Sequence, residues 1–381
     1  MDYELEPSRV DFLKALGAHL AERVAPRRAQ LDSCGPEERA RLMRDNIAGL
    51  GTHGFLAAMS IGNPPDLVGH YLALEETAKA CPATCLSARA SAFLCAGAIS
   101  LFGSPGAKET YLPRLLSGEA VGALAYSEPG SGSDLGALGA VAESDAGVYL
   151  VDGEKDIVVN APIAEVFVVL ARTPEGPSLL VVEGGARGLE IGPCLDTLGI
   201  RGAPVGGVRM RRCEAACLLG REPGMGLEQL ERLLSMGAVG AAALCVGIAH
   251  ACMEISTERA KSRSAFGKPI GMFQDVGFKL ADMFTLVDLS RLLALRAAWA
   301  FDTGERDAPV RAACAKLFSA EACSKVANWG MQIFAGHGYL AGSPIERLYR
   351  DARFGEICER TSEILRLTIA NEELDRFAGF A

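Results

Sequence analysis

From Leu233 to Met253 the chain runs 21 residues without an Asp, Glu, Lys or Arg. A helix of that length reaches across a bilayer. Its side chains, however, are rich in Ala and Gly rather than Leu, Ile and Phe, and His250 sits among them. Small side chains gain little from lipid but let neighbouring helices approach closely. The segment is therefore read as a helix buried on all sides in a protein core, with no membrane as partner. Such a helix needs other helices around it, and that demand constrains everything that flanks it.

The C-terminal sequence supplies them. Apolar spacing places helices at about Leu227–Lys261, Gln274–Phe301 and Pro309–Phe334. Asp302-Thr303-Gly304 ends the second and Ala335-Gly336-His337-Gly338 the third. Pro344 opens a short helix, and Thr361 caps a last one with Glu363 in its first turn. Long helices joined by short turns imply an antiparallel four-helix bundle over residues 224–381.

Residues 1–120 also read as helical, with segments at Asp11–Val24, Pro36–Gly49, Asp66–Ala80 and Pro82–Phe102 and a break at Gly62-Asn63-Pro64-Pro65. Ser104-Pro105 starts a further helix, which Pro113 is expected to end near Leu112. Between 121 and 223 the texture changes. Short apolar runs at Val121–Tyr126, Val148–Val151, Ile157–Val159, Val166–Leu170 and Leu179–Val182, with a looser one at Val205–Arg211, are punctuated by Gly, Pro, Asp and Asn. They predict an antiparallel β domain. The fold class is mostly α with a β domain: an N-terminal helical domain (1–120), a middle antiparallel β domain (121–223) and the bundle (224–381).

Several function classes fall away. A net charge of −9 and a pI near 5.3 leave no basic surface for nucleic acid as the main partner. The five histidines form no H-E-x-x-H and no cluster with cysteine, so no metal is expected. Twelve cysteines make no C-x-x-C, and the acidic N-terminus has no apolar signal core, which reads as reduced thiols in a cytoplasmic protein. There is no G-x-G-x-x-G and no P-loop lysine motif, so no Rossmann unit is expected.

Four separated segments carry chemistry. They are Ala125-Tyr126-Ser127-Glu128-Pro129-Gly130-Ser131-Gly132-Ser133-Asp134, Arg263-Ser264-Ala265-Phe266-Gly267-Lys268-Pro269-Ile270 with Gln274, Gln332-Ile333-Phe334-Ala335-Gly336-His337-Gly338-Tyr339, and Arg350-Asp351-Ala352 continuing to Glu359-Arg360-Thr361-Ser362-Glu363-Ile364. In order and spacing they resemble the acyl-CoA dehydrogenase family, over almost the whole chain. The resemblance implies FAD between the domains, an acyl thioester substrate, an electron-transfer flavoprotein as possible acceptor, and a homo-oligomer, tetramer or dimer. The chemistry it implies is removal of a proton from the α-carbon by a carboxylate and of hydride from the β-carbon by flavin N5.

The glycines of the first segment let backbone N–H groups approach a flat ring and a pyrophosphate. By resemblance, Tyr126 and Ser127 contact the flavin, Gly132 and Ser133 lie by the pyrophosphate, and Leu124 lines the acyl pocket unless it is plain strand packing. Arg263, Phe266, Gln274, Gln332 and Gly336 resemble residues that contact the FAD of a neighbouring subunit. Thr361 and Glu363 are assigned to the cofactor in the same way. In Gly153-Glu154-Lys155-Asp156-Ile157-Val158-Val159-Asn160, Ile157 and Val159 stand where the family often has a Trp and a Thr, so a hydroxyl beside the flavin is missing.

The base is ambiguous. Most family members use the loop glutamate, here Glu359. Isovaleryl-type members and prolyl-carrier-protein dehydrogenases use one within a helical L-E-R-L, here Leu230-Glu231-Arg232-Leu233. The helix motif is intact, whereas Cys358 and Arg360 alter the loop and Arg360 offers Glu359 an ion-pair partner. Glu231 is preferred, and Arg232 resembles a substrate-site arginine. The substrate is a CoA or an acyl-carrier-protein thioester. A flavin monooxygenase or oxidase on the same fold, and a non-catalytic acyl-binding protein, are the alternatives.

Overall fold

The computed structural model describes residues 5–62 and 65–378. Asn63 and Pro64, within the break read from the sequence, lie outside them. The order is helices, then a sheet, then helices, as the fold class predicts.

The uncharged run lies inside the first bundle helix, Gly226–Ser262, whose most apolar window is almost wholly buried. Its composition has a packing cause. A Cβ on Gly247 would stand 2.5 Å from Ala78 Cβ and 2.6 Å from Glu75 O. The helix Leu67–Ala80 thus presses backbone-close against it, which only a glycine allows. The helix Pro82–Phe102 is also long and apolar enough to cross a membrane, and it too is mostly buried in protein. The second and third bundle helices, Gln274–Asp302 and Ala308–Phe334, complete the core with the last helix, Ser362–Ala378.

The helix Pro105–Leu116 continues past Pro113 and does not end near Leu112. Pro113 is exposed, so the Glu109 carbonyl it leaves unpaired is on the solvent side, while Tyr111 and Leu115 are buried four residues apart and pin both sides of it. Ser104 Oγ accepts from Ala107 N at 3.2 Å, as the cap motif requires.

The middle domain holds β1 (Gly122–Ala125), β2 (Val141–Asp145), β3 (Val148–Val159), β4 (Val166–Thr173), β5 (Gly176–Glu183), β6 (Leu189–Cys194), β7 (Val205–Ala215) and β8 (Cys217–Leu219). They form one sheet in the order β6-β7-β3-β2-β4-β5-β8, with β1 paired to β4. The sheet is antiparallel except that β1 and a single residue of β2 pair with β4 in parallel. The 40 residues between β1 and β4 give the chain room to return in the same direction. The runs at 148–151 and 157–159 are one strand, bent by register shifts against β7. On β1, Leu124 joins the core that faces the helices, while Ala123 and Ala125 join the core on the opposite face.

Candidate active site

The loop that leaves β1 is held from within. Lys155 on β3 is fully buried, and its Nζ donates to Glu128 Oε1 at 2.6 Å and to Tyr126 O at 3.2 Å. Glu128 also accepts from Gly139 N at 2.7 Å and Ala140 N at 3.0 Å. Burial opposes the Glu128 charge, but these donors outweigh it and hold the carboxyl below its usual range. The glutamate and lysine of two separate motifs thus close the loop on itself. Gly132 and Ser133 then stand at the exposed rim. Their amides make no hydrogen bond among the described residues, and a Cβ on Gly132 would meet nothing within 4 Å. Ile157, 66% exposed and at φ +49°, bulges from β3 beside the half-buried Val159. This rim offers free N–H groups and an uncovered apolar edge, which suits a flat ring carrying a pyrophosphate.

Two ion pairs meet next to this loop. Tyr126 Oη donates to Glu359 O at 3.4 Å, which places the Glu359 turn against the end of β1. The Glu359 carboxylate points inward, 12% exposed, to the guanidinium of Arg89, 1% exposed. The contact is bidentate, with Nη1 on Oε1 and Nη2 on Oε2 at 2.9 Å. Arg360 points the other way and pairs with Glu231. Sequence reading offered Arg360 as the partner of Glu359; the structure gives it to Glu231. The reason is local. Glu359 adopts φ +58°, a left-handed turn that sends consecutive side chains in opposite directions. Glu231 itself is 61% exposed on the first bundle helix and also accepts from Ser235 Oγ at 3.4 Å.

Arg89 went unnoticed in the sequence, although it is the lone charged residue between Pro82 and Phe102. It ends the α-helical turn before the π-helical stretch Ala90–Cys95, and both of its terminal nitrogens are bonded. Its Nη2 donates to Gly237 O at 2.7 Å. A Cβ on Gly240 would stand 2.6 Å from Arg89 Nε and 2.8 Å from His70 Nε2, so the glycine makes room for both. His70 Nδ1 donates to Met59 O at 2.8 Å, which leaves Nε2 unprotonated; neither Nε2 nor Arg89 Nε makes a hydrogen bond among the described residues. Burial first, then the charge of Arg89, lowers the His70 pKa to about 3, so the ring is neutral. Burial also works against Arg89, but the charge and hydrogen bonds of Glu359 win and raise its pKa.

Arg232 is exposed and lines a hollow of about 370 Å³ with Phe102, Arg221, Met225 and Glu228 at the start of the same helix. Thr361 Oγ1 accepts from Ile364 N at 3.4 Å as the cap of the last helix. Glu363, in that first turn, has its pKa lowered by its own backbone N–H and by Thr361.

Five other sequence-derived residues gather elsewhere. Arg263 follows the end of the first bundle helix, Gln274 begins the second, and Gln332 and Gly336 flank the end of the third. All are exposed, and the ring of Phe266, 95% exposed, lies edge-on to Phe273, with ring centres 6.1 Å apart. Arg259 lies 5.5 Å over the Phe334 ring and joins these turns at one end of the bundle. From Glu231 to Arg263 the helix rises about 1.5 Å per residue, roughly 48 Å in all. No single small molecule touches both places in one chain.

Family models match in chain order: the N-terminal domain of acyl-CoA dehydrogenases at residues 7–119, the middle domain at 123–213 and the C-terminal domain at 224–374. The chain belongs to the acyl-CoA dehydrogenase family. It is 40% identical over 321 residues to a probable acyl-CoA dehydrogenase, YngJ, of Bacillus subtilis, covering 82% of this chain and 84% of that one. The fold matches butyryl-CoA dehydrogenase from Megasphaera elsdenii with a TM-score of 0.91 at 29% identity, over 98% of this chain and 100% of that one. It matches an FAD complex of PigA at 0.90 and 26% identity, over 99% and 100%. It matches the prolyl acyl carrier protein oxidase AnaB at 0.87 and 26%, over 97% and 99%.

Proposed function

We propose that this acyl-CoA dehydrogenase family member carries out FAD-dependent α,β-dehydrogenation of an acyl thioester, with Glu231 as the base. The observation that carries the reading is the meeting of three elements from the middle domain and the bundle at one point. The β1 loop with its free rim amides, the Glu359–Arg360 turn and the start of the first bundle helix all converge beside Tyr126.

Tyr126, Ser127, Gly132 and Ser133 would hold the flavin and its pyrophosphate, with Ile157 and Val159 against the ring. Bound FAD supplies the acceptor for the hydride that leaves the β-carbon. The chain supplies the rest. A carboxylate takes the α-proton, the C–H electron pair becomes the new double bond, and a substrate held in line loses both hydrogens. Leu124 and the neighbouring core wall would exclude water, and Arg232 would receive the thioester's carrier.

The choice of base follows from what protonation leaves behind. A protonated Glu359 would strand the buried Arg89 charge, a loss of about 3–5 kcal/mol when a buried pair is broken. A protonated Glu231 would release Arg360, which is 14% exposed, from a carboxylate that is 61% exposed and already faces water, a smaller loss than stranding the fully buried Arg89.

Arg263, Phe266, Gln274, Gln332 and Gly336 would reach the cofactor of a second copy, which makes the enzyme a homo-oligomer, a dimer or tetramer. The exposed Phe278, Phe284 and Leu289 of the second bundle helix support this. An acyl-carrier-protein thioester is proposed alongside a CoA thioester because AnaB shares the fold. The electrons would leave through an electron-transfer flavoprotein, and a cytoplasmic location fits twelve free thiols.

The experiment is anaerobic mixing of the purified, yellow protein with a panel of acyl-CoA and acyl-carrier-protein thioesters. Bleaching of the flavin band by at least one supports the reading. No bleaching by any, with flavin bound, counts against it.

A further inference from the structure

We infer that Arg89 is a positioning residue that decides which of the two glutamates acts as base. This rests on the reading of the protein as a thioester dehydrogenase with a carboxylate base. Either glutamate could serve by chemistry alone, since the turn at Tyr126 brings Glu359 and the helix brings Glu231 to the same region. What separates them is the partner. Arg89, itself 1% exposed, grips both oxygens of Glu359 with its two terminal nitrogens. Gly237 O takes its second Nη2 contact, and Gly240 supplies the space that Arg89 Nε and the neutral His70 ring occupy.

Each supporting group is itself fixed. His70 is tied to Met59 O and packs on Phe93, with ring centres 4.3 Å apart. Glu359 therefore has no freedom to swing toward a substrate, and neutralising it by proton uptake would leave a buried cation without a counter-charge. Glu231 is 61% exposed and is held by Arg360 through a single nitrogen, so both constraints are weaker there. Arg360, in the same turn as Glu359, pairs with Glu231, and this is the pair that opens. The inward pair thereby assigns the proton to the outward one.

The test transplants the role. Anaerobic bleaching gives one readout. Deuterium incorporation at the substrate α-carbon in heavy water, followed by mass spectrometry, gives a second that follows the base alone. Glu231→Gln is expected to slow both by about a thousandfold. Adding Arg89→Met should free Glu359 and return at least tenfold of the loss, with a pH profile differing from wild type. A third change, Glu359→Gln, should remove the regained activity.

A flavin-bound E231Q/R89M protein that stays at the E231Q level overturns the assignment. Should the Arg89→Met proteins fail to fold, the single variants still decide. The loss in Glu359→Gln must be at least a hundredfold smaller than in Glu231→Gln, and a loss as large overturns the proposal. Failure of the wild type to bleach or exchange with any thioester strikes the dehydrogenase reading itself. Bleaching without rescue strikes Arg89 alone.

Discussion

The two ends of the first bundle helix carry opposite kinds of functional residue. Near Glu231 charged groups are paired: Arg89 with Glu359 and Lys155 with Glu128 are buried, and Arg360 holds the more open Glu231. Near Arg263 the charges lie at the surface, in pairs such as Lys261 with Glu258 or over aromatic rings, and Phe266 is 95% exposed. A chain that builds a site alone must satisfy its own buried charges, because leaving one unpaired costs several kcal/mol. A chain that lends residues to a neighbour leaves them unsatisfied until the neighbour arrives. The first end reads as a complete catalytic corner and the second as a contribution to another copy.

The largest effect should come from opening the inward pair. Arg89→Met leaves Glu359 without its partner and should lower stability by about 3–5 kcal/mol, read from urea unfolding. A loss below about 1 kcal/mol would mean that this end is not locked. Gly247→Val, midway along the helix, should cost about 1–3 kcal/mol by forcing the Leu67–Ala80 helix away. If it unfolds no earlier than wild type, close packing does not explain the Ala- and Gly-rich run.

A smaller effect concerns Asp351, whose carboxyl burial raises to about pKa 7 although Ile200 N donates to it. An unfolded aspartate titrates near ~3.9. Between about pH 4 and 7 the folded chain keeps a proton that the unfolded chain has released, so the stability due to this group falls as pH rises. His70 works in the other direction. Its folded pKa of about 3 lies below an unfolded value near ~6.5, so stability due to His70 is lost as pH falls through that window. Asp351→Asn should therefore gain stability relative to wild type between pH 5 and pH 8, as the shift in urea midpoint at each pH would reveal. A constant difference across that range would remove Asp351 from the account.

At the far end the smallest change in folding is expected. Phe266→Ala should alter unfolding by no more than about 0.5 kcal/mol, because so exposed a ring stabilises little. It should nonetheless lower flavin content or shift the oligomer in sedimentation. A variant with unchanged flavin content and assembly would make Phe266 an ordinary surface residue and erase the contrast between the ends.

Much of this was legible in the sequence, for physical reasons. The uncharged run read as a core helix rather than a membrane span because of its Ala and Gly content, and its companions followed from apolar spacing. The motif loops announced themselves through glycines and hydroxyls at fixed offsets. What stayed hidden depends on the third dimension. Pro113 continues its helix because its face is wet. β1 meets β4 in parallel because a long excursion separates them. Glu359 and Arg360 are adjacent in the chain but turn apart at a left-handed residue. Arg89 carried a signal that was available: one charge in an otherwise uncharged helix must find a buried partner.

The most direct measurement is the rate of anaerobic flavin bleaching by one productive thioester in the Glu231→Gln protein, followed by stopped flow at matched flavin content. With Glu231 as the base, the rate should fall about a thousandfold while the bound flavin spectrum stays that of the wild type. Bleaching at close to the wild-type rate would show that another group takes the proton, and the account of the site would not stand.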